Sequence, residues 1–287
     1  MPTVWEQVTA NAKLISLPEV YLRLKQLLDQ PDFSMADVAS IIGQDAALTT
    51  RLLRLVNSSY FGLPDKIETV DRAVSLLGTR QVHDLALATS IAYTFSENFS
   101  NVMGVPAFWR KSMFRGLVSR SLANNVDGLD SERVFIAGLL SDIGHLVMYQ
   151  TVPELCQKAE VTAEKTQQPL YVAERELIGI DYARVGGILM RQWQLPGSLR
   201  EPTECHVEPR RAQAFPKETY LIHLASLLVE AADTGQEFGT GVLNPQAESW
   251  EITGLNQQQC LSVQSECAAE ADEVVHFFLP EPRVAKG

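Results

Sequence analysis

The chain has 287 residues, of which 46% are hydrophobic, enough to close a buried core and too many for a disordered segment. Its 35 acidic residues outnumber 24 lysines and arginines, giving a formal net charge of −11 that disfavours a general affinity for DNA or anionic lipid. Cys156, Cys205, Cys260 and Cys267 form no C-x-x-C pair, and no apolar run approaches the ~20 residues that cross a bilayer. These features exclude a disulfide framework, a zinc knuckle and a membrane span, and the expectation is a cytoplasmic protein.

Apolar residues recur at helical spacing and no alternating β-branched run competes with them, so the chain is expected to be all-α. Ser16-Leu17-Pro18-Glu19 supplies a cap oxygen, an early proline and a carboxylate able to reach back, which predicts a helix starting there with Val20, Leu24, Leu27 and Leu28 on one face. Ser34-Met35-Ala36-Asp37 repeats that logic before Val38, Ile41 and Ile42. Asp45 is expected to cap a third helix whose inner face is Leu48, Leu52 and Leu55, and the stretch from Asn57 to Pro64 reads as a turn. Val70, Ala73, Val74 and Leu77 form a further helix that Gly78 stops.

The polar stretch over 96–106 marks a junction between an N-terminal helical subdomain, 1–100, and a second one, 101–235, followed by a C-terminal helical extension, 236–287. Helices are expected over 107–126, 131–150, 153–165, 170–178, 181–194 and 217–233, with further pieces after Pro245 and over 256–278. Gly186 and Gly187 sit inside a helical pattern, where two glycines point to close helix packing rather than a phosphate loop.

Val134 to Val147 is apolar around nearly its whole helical circumference, as a buried helix is, yet it carries Asp142 and His145 one turn apart. A buried carboxylate needs a partner or it takes a proton, and Lys111 and His145 are the candidates. Over 38–52, Ala39, Gly43, Leu48 and Leu52 have helix-turn-helix spacing, with Arg51 and Arg54 on the second element. Asp45 at that helix start and the acidic balance oppose phosphate contacts, so nucleic acid is not the expected partner.

Gly138-Leu139-Leu140-Ser141-Asp142 resembles the metal-binding helix of the HD superfamily of phosphohydrolases, in which a His-Asp pair follows a Gly-Leu-Leu run. The earlier strings Ile41-Ile42-Gly43-Gln44-Asp45, Leu52 to Phe61, and Ile67 with Ala73 to Gly78 are similar to the HDOD family. So are Phe108-Trp109-Arg110, Gly179-Ile180-Asp181, Trp193-Gln194-Leu195-Pro196 and His223-Leu224-Ala225, and together they span roughly residues 14 to 230. The resemblance implies a multi-helical fold in which the N-terminal helical subdomain packs on an HD-like helical subdomain.

It also implies where metal ligands would stand. Lys111 occupies the place of the first histidine, Ser141 that of the His of the His-Asp pair, and Tyr182 that of the histidine after Gly-Ile-Asp. Only the second of a later His-His pair survives, as His206, and Ser226 replaces an aspartate. Asp142 and His206 are too few ligands for a hydrolytic metal ion, so no catalytic residue, metal or cofactor is expected. Lys111, Ser141, Asp142, Tyr182, His206 and Ser226 should line the degenerate pocket, a candidate small-ligand site, with the Lys111 ammonium replacing the metal charge beside Asp142. His83-Asp84, literally an HD dipeptide, lies away from any Gly-Leu-Leu run and reads as a decoy.

The expected function is that of a non-catalytic bacterial regulatory module that transmits a signal by binding a partner protein or a small ligand, with any signalling partner supplied in trans. Asn57, Tyr60 and Phe61 form a candidate partner or interdomain surface. A residual metal-dependent nucleotide phosphohydrolase and a helix-turn-helix DNA-binding regulator are the alternatives.

Overall fold

The computed structural model describes residues 3–58, 61–98 and 104–278; it is all-α, with no strand among them. Among the described residues, six helices lie in the N-terminal part: α1 (Val4–Leu14), α2 (Glu19–Leu28), α3 (Met35–Gly43), α4 (Ala46–Val56), α5 (Val70–Leu77) and α6 (Thr79–Asn98). Their starts follow local chemistry. Ser34 accepts from the Asp37 N–H while Asp37 reaches back to Ser34, and Asp45 and Thr69 accept from the N–H groups of Leu48 and Arg72. Gly78, at φ 83°, closes α5 in a conformation open to glycine. The start predicted at Ser16 is displaced: α2 begins at Glu19, with Pro18 extended at the cap position and no side-chain cap. Pro18 lacks an N–H, which makes it tolerable at the boundary, and the chain from Ile15 to Pro18 stays non-helical. Helix α1 was not anticipated.

Ten α-helices follow among the described residues: α7 (Val105–Ala123), α8 (Ser131–Leu140), α9 (Ile143–Thr151), α10 (Pro153–Thr166), α11 (Leu170–Leu177), α12 (Tyr182–Gln192), α13 (Gly197–Cys205), α14 (Pro216–Thr234), α15 (Ala247–Thr253) and α16 (Gln257–Phe278). Helix α7 is the axle. Thirteen of its nineteen residues are buried, including the unbroken run from Ser112 to Ser119, and it packs against α8, α14 and α16. One apolar cluster runs continuously from Val8 in α1 to Val274 in α16 and includes the whole run from Val134 to Leu140 apart from Gly138.

Two differences from the sequence reading shape the site. The expected helix over 131–150 is broken at Ser141 and Asp142 into α8 and α9, and α13 forms where no helix was foreseen. Helix α13 is short and polar and holds Pro202 internally, yet it buries Leu199, Pro202, Thr203 and Cys205 on one face. A polar exposed face and an internal proline hide that periodicity in the sequence.

Candidate functional site

Four glycines let the helices that carry the candidate residues come together. A Cβ on Gly138 would overlap Ser119 of α7, so α7 and α8 cross in near-backbone contact. A Cβ on Gly144 would overlap the Tyr182 carbonyl at the start of α12, which fixes α9 against α12. Gly186 and Gly187 similarly face Thr203 and Glu204, seating α12 on α13. The break between α8 and α9 therefore lies where α7, α12 and α13 all approach.

Asp142 sits in that break, at the cap position of α9, but its carboxylate caps nothing. It turns to Arg115 of α7 instead: Nη2 stands 2.5 Å from Oδ2. Arg115 Nη1 also donates to the Ser141 hydroxyl at 3.3 Å, and that hydroxyl donates to the Gly138 carbonyl at 2.9 Å. Arg115 is 2% exposed and Asp142 8%, so this is a desolvated ion pair. Burial pushes the Asp142 pKa up, but the Arg115 guanidinium, aided by His206, outweighs it and holds the carboxyl far below the ordinary range.

His206 follows α13 directly. Its Nδ1 lies 2.9 Å from the Thr203 carbonyl, which only accepts, so Nδ1 carries a hydrogen. Nε2 lies 3.2 Å from the Tyr182 hydroxyl and 3.5 Å from Asp142 Oδ1. Burial and the nearby Asp142 charge keep the Tyr182 phenol protonated. His145 stacks on the Tyr182 ring, with centroids 3.9 Å apart, and bonds Glu174 Oε1 at 3.2 Å. The other Glu174 oxygen accepts from the Tyr182 N–H, so one carboxylate ties α11 to α9 and to the head of α12. Burial works to lower the His145 pKa; the Glu174 carboxylate, with Asp142 beyond it, reverses the sign and leaves it raised. His223 donates through Nδ1 to the His206 carbonyl at 2.8 Å, and burial pushes its pKa down to about 4.

The structure thus gathers Ser141, Asp142, Tyr182 and His206 around Arg115. Lys111 departs from expectation. It lies one turn before Arg115, but its Nζ donates to Glu230 and Asp233 of α14, at 2.6 and 3.1 Å, and is not the partner of Asp142. Burial opposes its protonation, and Glu230 more than restores it. The reason is geometric: on α7 the residue facing the α8–α9 break is Arg115, while Lys111 faces α14. The Ser226 hydroxyl is buried without a partner.

Asn57 is turned onto its own loop, bonding both the N–H and the carbonyl of Ile67 at 2.7 Å, and Phe61 packs against the core. Tyr60 lies outside the described residues. His83 pairs with Asp84 at 3.0 Å, and Asp84 also takes Arg133 of α8 at 2.9 Å, a link between the two helical parts. Arg51 of the helix-turn-helix candidate lies 4.2 Å over the Tyr93 ring.

Arg115 was missed by sequence reasoning. Its signal was an arginine amid Met113, Phe114, Leu117 and Val118, an ion in an apolar run that called for the same partner search as Asp142. A divalent metal does not fit this donor set. A guanidinium already stands on the Asp142 carboxylate, the Tyr182 hydroxyl faces His206 Nε2, and among the described residues no three His, Cys, Asp or Glu side chains converge as ligands.

Comparison with known proteins agrees with the fold. A crystal structure from Shewanella amazonensis SB2B, described provisionally as a phosphohydrolase, superposes with a TM-score of 0.75 at 20% identity, covering 95% of this chain and 98% of that one. An HDOD domain protein of unknown function from Geobacter sulfurreducens gives 0.70 at 19% identity, covering 93% and 97%. A protein from Marinobacter aquaeolei VT8, described provisionally as acting in signal transduction, gives 0.72 at 20%, covering 93% and 60%. An uncharacterized Treponema pallidum protein is 28% identical over 182 residues, 63% of this chain, which spans 35% of that protein's length. The HDOD domain family model matches residues 14–209, and the chain belongs to the HDOD family.

Proposed function

We propose that this chain is a non-catalytic regulatory module, which transmits a signal by binding a partner protein or a small ligand rather than by hydrolysing phosphate esters. One observation carries the reading. The cation beside Asp142 is the Arg115 guanidinium, which can neutralise the carboxylate but cannot bind and activate water as a metal ion does. At the sequence positions that the family resemblance assigns to ligands, this chain has Lys111, Ser141, Tyr182 and Ser226, and none is a ready donor to a divalent metal at neutral pH. The division into 1–100, 101–235 and 236–287 belongs to the same proposal, with the first two parts as one working unit. So does a place in the bacterial cytoplasm, where a signalling partner would act in trans; no helix among the described residues is long and apolar enough to cross a membrane.

The second reading, a residual metal-dependent nucleotide phosphohydrolase, rests on Asp142 and His206, two groups of metal-binding type kept 3.5 Å apart. Metal analysis of protein purified without chelator, paired with hydrolysis assays on nucleotides and bis-p-nitrophenyl phosphate supplemented with manganese or iron, separates the two. The regulatory reading expects substoichiometric metal and no turnover above buffer. Stoichiometric metal with hydrolysis that Asp142→Asn abolishes would overturn it.

A further inference from the structure

Away from the buried centre, α12, α13 and the 3-10 turn Pro209–Arg211 enclose a surface hollow of about 290 Å³, bordered by Arg191, Arg200 and Arg211. Three guanidinium groups gather here on a chain of net charge −11. The acids beside them are already engaged. Glu201 accepts from the backbone N–H groups of Gln213, Ala214 and Phe215, and Glu204 is held by Arg191 at 2.8 Å. Arg211 pairs with Glu208 at 3.5 Å, and it shares that carboxylate oxygen with Arg175, which stands closer at 2.7 Å. Arg200 is half-buried, and its guanidinium has no ion-pair or hydrogen-bond partner among the described residues. Cys205, also on the lining, adds no negative charge, since burial pushes its thiol up to about 11. A partly desolvated guanidinium left without an acceptor, where carboxylates are in excess, presents its donors outward.

Arg191 also borders a second hollow, of about 400 Å³, whose lining includes Trp5 of α1 and Ile188 of α12 and is mostly apolar. Trp5 is 44% exposed. The two hollows share Arg191, so a basic surface and an apolar one adjoin.

We propose that this double hollow docks an acidic segment of a partner protein, with an apolar side chain seated against Trp5 and Ile188 and carboxylates forked by Arg200 and Arg211. It deepens the partner-binding reading above by naming the partner's chemistry. A planar guanidinium matches a carboxylate bidentately, and the linings of the two hollows carry Lys13, Arg191, Arg200 and Arg211 against Glu201 and Glu204, a cationic excess on a chain of net charge −11. The adjoining apolar hollow gives a peptide a purchase that a free phosphate could not use.

The test is fluorescence anisotropy of the full chain, at low ionic strength, with a labelled Trp-Glu-Glu-Glu-Glu-Glu-Glu peptide. Saturable binding is expected, weakened by salt, and weakened at least about tenfold by the pair Arg200→Glu and Arg211→Glu, since like charges now face each other. The Arg200 guanidinium has no internal partner to lose, and circular dichroism should show the variant folded. No saturable binding to wild type, or equal binding by the folded variant, would overturn the proposal. Displacement by pyrophosphate as effective as by unlabelled peptide would overturn it in favour of a small-anion site. If the peptide fails while the wild-type chain still captures a cellular partner, this surface falls and the partner-binding reading stands; if capture fails too, both fall.

Discussion

Replacing Arg115 by methionine keeps most of the side-chain volume and removes only the charge and its hydrogen bonds. Asp142 would then lose its 2.5 Å partner and keep only His206, 3.5 Å from the other oxygen. At 8% exposure it has little water to turn to, so its cheapest escape is to take a proton. Raising a carboxyl from its ordinary pKa of ~3.9 to neutral pH costs about 4 kcal/mol, which agrees with the ~3–5 kcal/mol measured when one partner of a buried pair is removed. That is a large share of the roughly 5–15 kcal/mol that holds a domain folded. Urea unfolding at pH 7 of wild type, Arg115→Met, Asp142→Asn and the double variant gives the coupling directly. Each single variant should lose about 3–4 kcal/mol and the double variant far less than their sum, with a coupling of about 2–3 kcal/mol. A loss below ~1 kcal/mol for Arg115→Met, or strict additivity, would refute the claim that Arg115 neutralises the buried carboxylate.

Further expectations follow from the same geometry. Lys111→Met should cost only about 1 kcal/mol, and less in high salt, because Glu230 and Asp233 are half exposed; a loss matching that of Arg115→Met would restore Lys111 as the central cation. His223, with a folded pKa near 4 and an unfolded value near ~6.5, contributes stability present above pH ~6.5 and lost as pH falls toward 4, by roughly 3 kcal/mol; His223→Phe should flatten the stability profile across that window, and an unchanged slope would count against a buried neutral imidazole. Asp142 has a depressed folded pKa, so its contribution is present above the ordinary carboxylate range and begins to fade below pH ~4; Asp142→Asn should be less acid-sensitive than wild type under calorimetry. Gly144→Ala should destabilise by at least about 2 kcal/mol, because its Cβ meets the Tyr182 backbone, and a neutral melting temperature would show that α9 and α12 separate readily.

Helix content, several caps and the run that became the core were legible because they depend on residues close in sequence. Ser34, Asp45 and Gly78 act where local chemistry puts them. The α8–α9 break was not legible, since Ser141 and Asp142 carry no glycine or proline and the apolar pattern runs across them unbroken. At the break Asp142 turns to an ion on another helix, a contact at a sequence distance no periodicity reports. The same limit explains the central cation. Lys111 and Arg115 lie one turn apart on α7, and only the rotation of that helix, set by Gly138 against Ser119, decides which of them meets the carboxylate.

The Arg115 guanidinium changes what the cell can do to this fold. A bound metal ion can be withheld, exchanged for another or oxidised, and a module built around one reports those events whether or not it is meant to. The positive charge beside Asp142 is encoded in the gene and arrives with the chain, permanently protonated and redox-inert. Iron starvation or oxidative stress leaves that charge where translation put it, so the electrostatics around Asp142 do not follow the metal supply.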